Sequence, residues 1–201
     1  MSTLLRQVPG MPPPETLSSF LSGLKNAGCA LLITGETDRK TRAAVSRRLF
    51  GVLEAELEAN EPPRKRMLIQ TDQAPQAQQY LPPNVNSEST RCAVYNATAG
   101  DRSTTTMSPT NDETDSLGRS QSTGLKKVAE SVEQGAEEML TNMNQPAPAE
   151  LRVGCSSLRA LEKRFEHSEI EEFADSVAAT ARRHRGMCHL HYPMGDAAQP
   201  V

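Results

Sequence analysis

The residues best suited to chemistry lie in the run Gly35-Glu36-Thr37-Asp38-Arg39-Lys40-Thr41, directly after an apolar stretch. A glycine followed by lysine and a hydroxyl approximates the phosphate-binding loop G-x-x-x-x-G-K-[ST], in which backbone amides cradle phosphates, lysine reaches the terminal phosphates and the hydroxyl holds magnesium. Gly35, Lys40 and Thr41 are therefore the candidate nucleotide-binding residues. The pattern is degenerate, because the loop is one residue short and Arg39 stands where the second glycine belongs. Glu36 and Asp38 also put negative charge where phosphate would lie. A carboxylate there can bond the free amides of a helix N-terminus itself, so an ordinary capped turn is the expectation.

Other constellations carry less. Arg39, Lys40, Arg42, Arg47 and Arg48 form a basic segment that could meet phosphates, but no aromatic residues interleave it and acidic residues follow at once. A solvated helix surface of mixed charge is expected. His189 and His191 are two apart on a predicted strand and so share a face, a spacing that can supply two metal ligands. No third ligand accompanies them, since His184 precedes them in a turn and Cys188 points the other way, and a structural pair at the sheet's C-terminal edge is expected. Ser156 and Ser157 lack the G-x-S-x-G setting of a hydrolase nucleophile. Glu36, Asp38 and Asp72 fall at strand ends, but nothing in the sequence brings them together as paired acids. Cys29, Cys92, Cys155 and Cys188 show no metal-binding spacing, and each adjoins an apolar run. They are read as buried, reduced thiols.

The elements that would position these residues follow from periodicity. Leu17, Phe20, Leu21 and Leu24 are spaced for one helical stripe, with Pro12, Pro13 and Pro14 before them and Gly28 at the end. Cys29 to Gly35 has the unbroken apolar character of a strand covered on both faces. Thr37 or Asp38 can cap a helix carrying Val45, Leu49, Phe50 and Leu53. Arg66–Gln70 and Arg91–Tyr95 are short strands. Leu125, Val128, Val132, Ala136, Met139 and Met143 form a stripe on a helix of about five turns. Leu151–Cys155 is a buried strand, followed by a helix with Leu158, Leu161 and Phe165 on one side. Ser168 and Glu171 form a capping box for a helix that buries Ile170, Phe173, Val177 and Ala181. Met187 to Tyr192 alternates as a strand. Strands separated by such helices imply an α/β fold, a three-layer sandwich with a mainly parallel sheet.

Length and composition set the outer bounds. The chain has 201 residues and a net charge of -3, with a pI near 5.9, so it carries no overall footprint for nucleic acid or an anionic membrane. Leu, Ile, Val and Phe number 36, enough for a modest core only if they cluster. Only Leu117 of them falls in the stretch 101–124, which is expected to be a mobile loop. A single domain over 10–194 with flexible tails 1–9 and 195–201 is expected, in the cytoplasm, because no signal peptide or spanning segment is evident.

Three stretches carry a resemblance: Leu31-Leu32-Ile33-Thr34-Gly35, Leu151 through Leu158, and the closing Gly186-Met187-Cys188-His189-Leu190-His191-Tyr192-Pro193. Over roughly 10–194 the chain resembles a family of uncharacterised haloarchaeal proteins related to the RecA and KaiC ATPase core. The resemblance implies a RecA-like fold. In active relatives the strand before Ser157-Leu158 ends in an Asp that orders the magnesium shell, whereas Cys155 and Ser156 stand here. With both motifs altered, the expectation is a RecA-like binding or regulatory protein that does not hydrolyse nucleotide, takes no cofactor and acts on a protein partner. The alternative is a divergent NTPase binding ATP and magnesium through Lys40 and Thr41, with an acid such as Asp72 as replacement. A second alternative is a nucleic-acid-associated protein using the Arg39 to Arg48 face.

Overall fold

The computed structural model describes residues 23–24, 27–51, 64–71, 77–83, 85, 91–97, 124–141 and 150–194. Five strands, β1 (Cys29–Gly35), β2 (Lys65–Gln70), β3 (Cys92–Asn96), β4 (Leu151–Cys155) and β5 (Met187–Pro193), form one sheet in the order β1-β5-β4-β2-β3. Every pairing is parallel. Among the described residues, three full α-helices accompany it: α1 (Arg39–Phe50), α2 (Gly124–Leu140) and α3 (His167–Arg183). Short 3-10 turns occupy Ala77–Gln79 and Arg159–Lys163. The expected mobile loop at 101–124 and both expected tails lie almost wholly outside the described residues.

Alternation along β2 shows why the chain needs two helical layers. Met67 and Ile69 join a core with α2 and α3, while Leu68 between them joins a second core with Ala43 and Phe50 of α1 and with Tyr80 and Leu81. A strand buried on both faces reads as continuous apolar sequence, and α/β architecture covers it from both sides. The arrangement is the expected three-layer sandwich. Helices α2 and α3 pack on each other over β3, β2, β5 and β1, and α1 crosses β4 and β5 on the opposite face.

Helix α2 follows its predicted stripe, with Leu125, Val128, Val132, Ala136 and Met139 buried; Met143 is outside the described residues. Helix α3 likewise buries Ile170, Phe173, Val177 and Ala181, but it starts two residues earlier than expected. Its capping box is Glu166 with Glu169, the Glu166 amide donating to Glu169 Oε2 at 2.9 Å, and not Ser168 with Glu171. Both pairs have the same three-residue spacing, but the observed cap is a glutamate instead of the serine the pattern favours. The helix expected after β4 is only a 3-10 turn, although Leu158 and Leu161 are buried as predicted.

Helix α1 differs most from its expected face. It turns Arg42, Ala43, Ser46 and Phe50 inward, while Val45 and Leu49 are only half-buried and Leu53 is outside the described residues. The sheet beneath supplies the reason. It presents His189, His191 and Gly154, so the facing helix is small and polar there. A Cβ on Gly154 would lie 2.5 Å from His189 Nε2 and 2.6 Å from Phe50 Cζ. The last carbonyls of α1 are met by buried arginines: Arg66 donates to Phe50 O and Gly51 O, both at 3.2 Å, and Arg152 to Leu49 O at 3.4 Å. Cations at a helix C-terminus also oppose its dipole.

β1 is not the strand covered on both faces that its composition suggested. It is an edge strand, and Leu32 is 62% exposed. Apolar character shows that a strand seeks burial, but not which place in the sheet it takes.

Candidate functional site

In a parallel sheet the strand ends converge on one rim, and a crevice opens where neighbouring strands send their continuations to opposite faces. β2 continues through Ala77–Gln79 on the α1 side, whereas β4 continues into α3 on the other side. The crevice is therefore at the ends of β2 and β4, between Gln70-Thr71 and Ser156-Ser157.

That crevice is filled by the protein's own hydroxyls. Ser156 Oγ accepts from the Thr71 amide at 3.0 Å and lies 3.1 Å from Thr71 Oγ1, which donates to Ser157 O. The Ser156 amide donates to Ile69 O at 3.0 Å, and Ser157 Oγ accepts from the Ala160 amide at 3.3 Å. Thr71, Ser156 and Ser157 are all buried. Ser156 thus acts as a stitch between β4 and β2, not as a nucleophile. Gln70, also buried, has an Nε2 without a hydrogen-bond partner among the described residues.

The Gly35–Thr41 turn lies at the same rim, two strands away. Gly35 has φ +131°, a backbone conformation that L side chains rarely adopt, and its carbonyl accepts from the Met194 amide at 2.9 Å. Glu36, Thr37 and Asp38 alone separate β1 from α1. Asp38 is the N-cap, with Oδ1 accepting from the Thr41 amide at 2.7 Å. That amide holds the Asp38 carboxyl below its ordinary range, with help from the Thr41 side chain and the charges of Lys40 and Arg42. Lys40 and Thr41 are exposed. Of the three predicted site residues, Lys40 and Thr41 share the first turn of α1, and Gly35 ends the strand before it. The amide that a phosphate would need is given to Asp38.

The basic segment is broken up. Arg42, expected on a solvated face, is buried and donates from Nη1 to Thr37 O at 2.7 Å, bracing the turn from within. Arg47 donates to Gln79 O. Lys40 and Arg48 remain exposed.

His189 and His191 share a face as predicted, on β5 between β1 and β4. Both rings meet one hydroxyl: Ser46 Oγ is 3.0 Å from His191 Nε2 and 3.3 Å from His189 Nε2. Phe50 packs edge-on against His189 at 4.8 Å between ring centres. Burial, then His191 and Arg152, push His189 down to about 3; burial and Arg42 push His191 down to about 4. Both rings are therefore neutral at pH 7. Among the described residues no group of three or more His, Cys, Asp or Glu could hold a metal ion.

All four cysteines are free and buried, as the sequence predicted. Burial raises the Cys92 thiol to about 11 and pushes that of Cys188 up as well. Neither of these two is poised as a nucleophile. Asp72 lies outside the described residues.

The pattern of a known family matches residues 28–201, from the glycine before β1 onward. The chain belongs to DUF7504, a family of unknown function. No curated protein matches it. The DUF7504 match takes in the capped turn, the filled crevice and the Ser46–histidine cluster together. Sequence reasoning missed Ser46 and Thr71, because a lone hydroxyl in a helix or after a strand carries no pattern until its partner is known. No helix among the described residues is long and apolar enough to cross a membrane.

Proposed function

We propose that the protein is a non-catalytic, RecA-like binding or regulatory module of the cytoplasm, acting on a protein partner. The observation that carries this reading is the bond from the Thr41 amide to Asp38 Oδ1, 2.7 Å long. Phosphate loops leave such amides open and wrap them around the ligand. Here three residues join strand to helix, and a carboxylate occupies the amide. The rim position usual for a magnesium-ordering acid carries Ser156, whose hydroxyl is committed to Thr71. Supporting the same reading, the Arg39 to Arg48 face has Arg42 turned inward and Arg47 bound to Gln79 O, leaving little cationic surface for nucleic acid.

Titration calorimetry with ATP, with and without magnesium, tests the proposal. No binding tighter than about 1 mM is expected, which leaves less than about 4 kcal/mol of association. Magnesium-dependent binding below about 100 μM, lost in Lys40→Ala, would instead establish the divergent NTPase with Lys40 and Thr41 on the phosphates. The unpartnered Gln70 Nε2 is the feature that favours this second reading, as a buried donor at the strand ends.

A further inference from the structure

Among the described residues the sheet has one open edge. β3 ends the other side with Cys92, Ala93 and Tyr95 buried, whereas Leu32 of β1 is 62% exposed and no described strand pairs with its outer side. Edge strands that stand in water are ordinarily guarded by a charged side chain, a proline or a bulge. Cys29–Gly35 carries none of these: its side chains are apolar apart from Thr34, and its register with β5 is unbroken. The Cys29 amide donates to Gly186 O at 3.0 Å and Gly35 O accepts from the Met194 amide at 2.9 Å, so the odd-numbered residues bond to β5. Backbone groups alternate in side along a strand, which turns the amides and carbonyls of Ala30, Leu32 and Thr34 outward.

Beside this edge a groove of about 620 Å³ runs between β1 and α3. Ala30, Leu32, Ala174 and Ala178 line it, with Glu171 on the N-terminal half of α3 and Arg182 at its C-terminal end. The helix runs opposite to β1, since a short turn joins it to β5, which is parallel to β1, and a Cβ at Gly28 would lie 3.1 Å from Arg182 O. A partner of one charge sign fits only one end of such a wall. A second copy turned end for end fits both, because in a two-fold contact each residue of one copy meets a different residue of the other.

We propose that β1 pairs antiparallel with β1 of a second copy, joining two five-stranded sheets into one, with a copy of α3 on each side of the seam. A two-fold axis beside Leu32, the midpoint of the strand, lets Leu32 exchange both backbone bonds with its own copy and pairs Ala30 with Thr34, which uses every outward group. The same axis keeps both α3 helices on one face of the joined sheet. Strands lie about 4.8 Å apart, so a helix over β1 and β5 stands roughly 5–7 Å from the axis and the two helices about 10–14 Å apart, within reach of a Glu171–Arg182 pair at each end. Leu32 of each copy is covered at the seam, and the buried far edge stops the assembly at two. The proposal goes beyond the reading of the Gly35–Thr41 turn and does not depend on it.

Sedimentation of the full chain over a dilution series from about 100 μM downward tests it. The mass at the highest concentration should be twice 21.9 kDa. Leu32→Lys should return the chain to a monomer with its circular dichroism unchanged, because the position is exposed in one copy and a lysine guards an edge. Glu171→Arg and Arg182→Glu should each raise the dissociation constant at least about tenfold, and the double variant should recover most of that loss. A monomer at about 100 μM overturns the proposal, whether another partner or the chain itself meets the edge. A dimer whose constant is indifferent to Leu32→Lys overturns it in favour of another face. Where Leu32→Lys does not fold, the charge variants decide: no loss in either single variant, or no recovery in the double, overturns the pairing.

Discussion

The Ser46 hydroxyl lies 3.0 Å from His191 Nε2 and also faces His189 Nε2 at 3.3 Å. One hydroxyl has one proton to donate, so it gives to one ring and accepts from the other. The two neutral imidazoles must therefore be opposite tautomers, one protonated at Nε2 and the other at Nδ1. Nitrogen NMR of the two side chains should show one of each. Two identical tautomers would mean that Ser46 serves only one ring.

Removing the hydroxyl leaves two buried ring nitrogens without that partner. Ser46→Ala should cost about 1–3 kcal/mol in urea unfolding at pH 7, and the variant should remain cooperative. A loss below about half a kcal/mol would show that water replaces the hydroxyl.

Acid should weaken the fold through the same pair. In the unfolded chain each histidine binds a proton near the ordinary value of 6.5, whereas in the fold they do so only near 3 and 4. The unfolded state binds more protons in that interval, so stability is full above pH 6.5 and falls as pH drops toward about 4, by on the order of 1 kcal/mol per pH unit per histidine. Unfolding free energies measured at pH 7, 6 and 5 check the slope. A flat profile would place the histidines in contact with water.

Burial at the centre and the edge of the sheet should separate two otherwise similar substitutions. Val153 of β4 is fully buried, and Val153→Ala should cost about 2–4 kcal/mol. Leu32→Ala, at an exposed position on β1, should cost less than about 1 kcal/mol. Gly154→Ala should also be destabilising, by about 1–3 kcal/mol, because the new Cβ meets His189 and Phe50.

At the turn, Asp38→Ala removes the cap of α1 and should lower Tm by a few degrees, while Lys40→Ala should leave it unchanged within error. A larger loss from Lys40→Ala would show that the lysine has a structural partner.

What the sequence determined by itself was the set of five strands and the helices α1, α2 and α3. Five apolar segments and the stripes of α2 and α3 are local facts, because periodicities of 2 and 3.6 residues say which groups must leave water together. A cap at Thr37 or Asp38 was legible for the same reason, and the structure assigns it to Asp38, three residues from the amide it bonds. The four buried thiols also followed from their apolar neighbours. Strand order was decided only in three dimensions. Cys29–Gly35 and Leu151–Cys155 read alike, yet one is an edge strand and the other central, because hydrogen-bonded neighbours are chosen by crossovers between distant segments. The same distance hid the chemistry of the interior. Ser46 and His191 are 145 residues apart, and Thr71 and Ser156 are 85 apart. The inward face of α1 was misjudged for that reason: what lies opposite a helix decides whether alanine, serine and arginine or valine and leucine turn in. Here the sheet offered two imidazoles and a glycine.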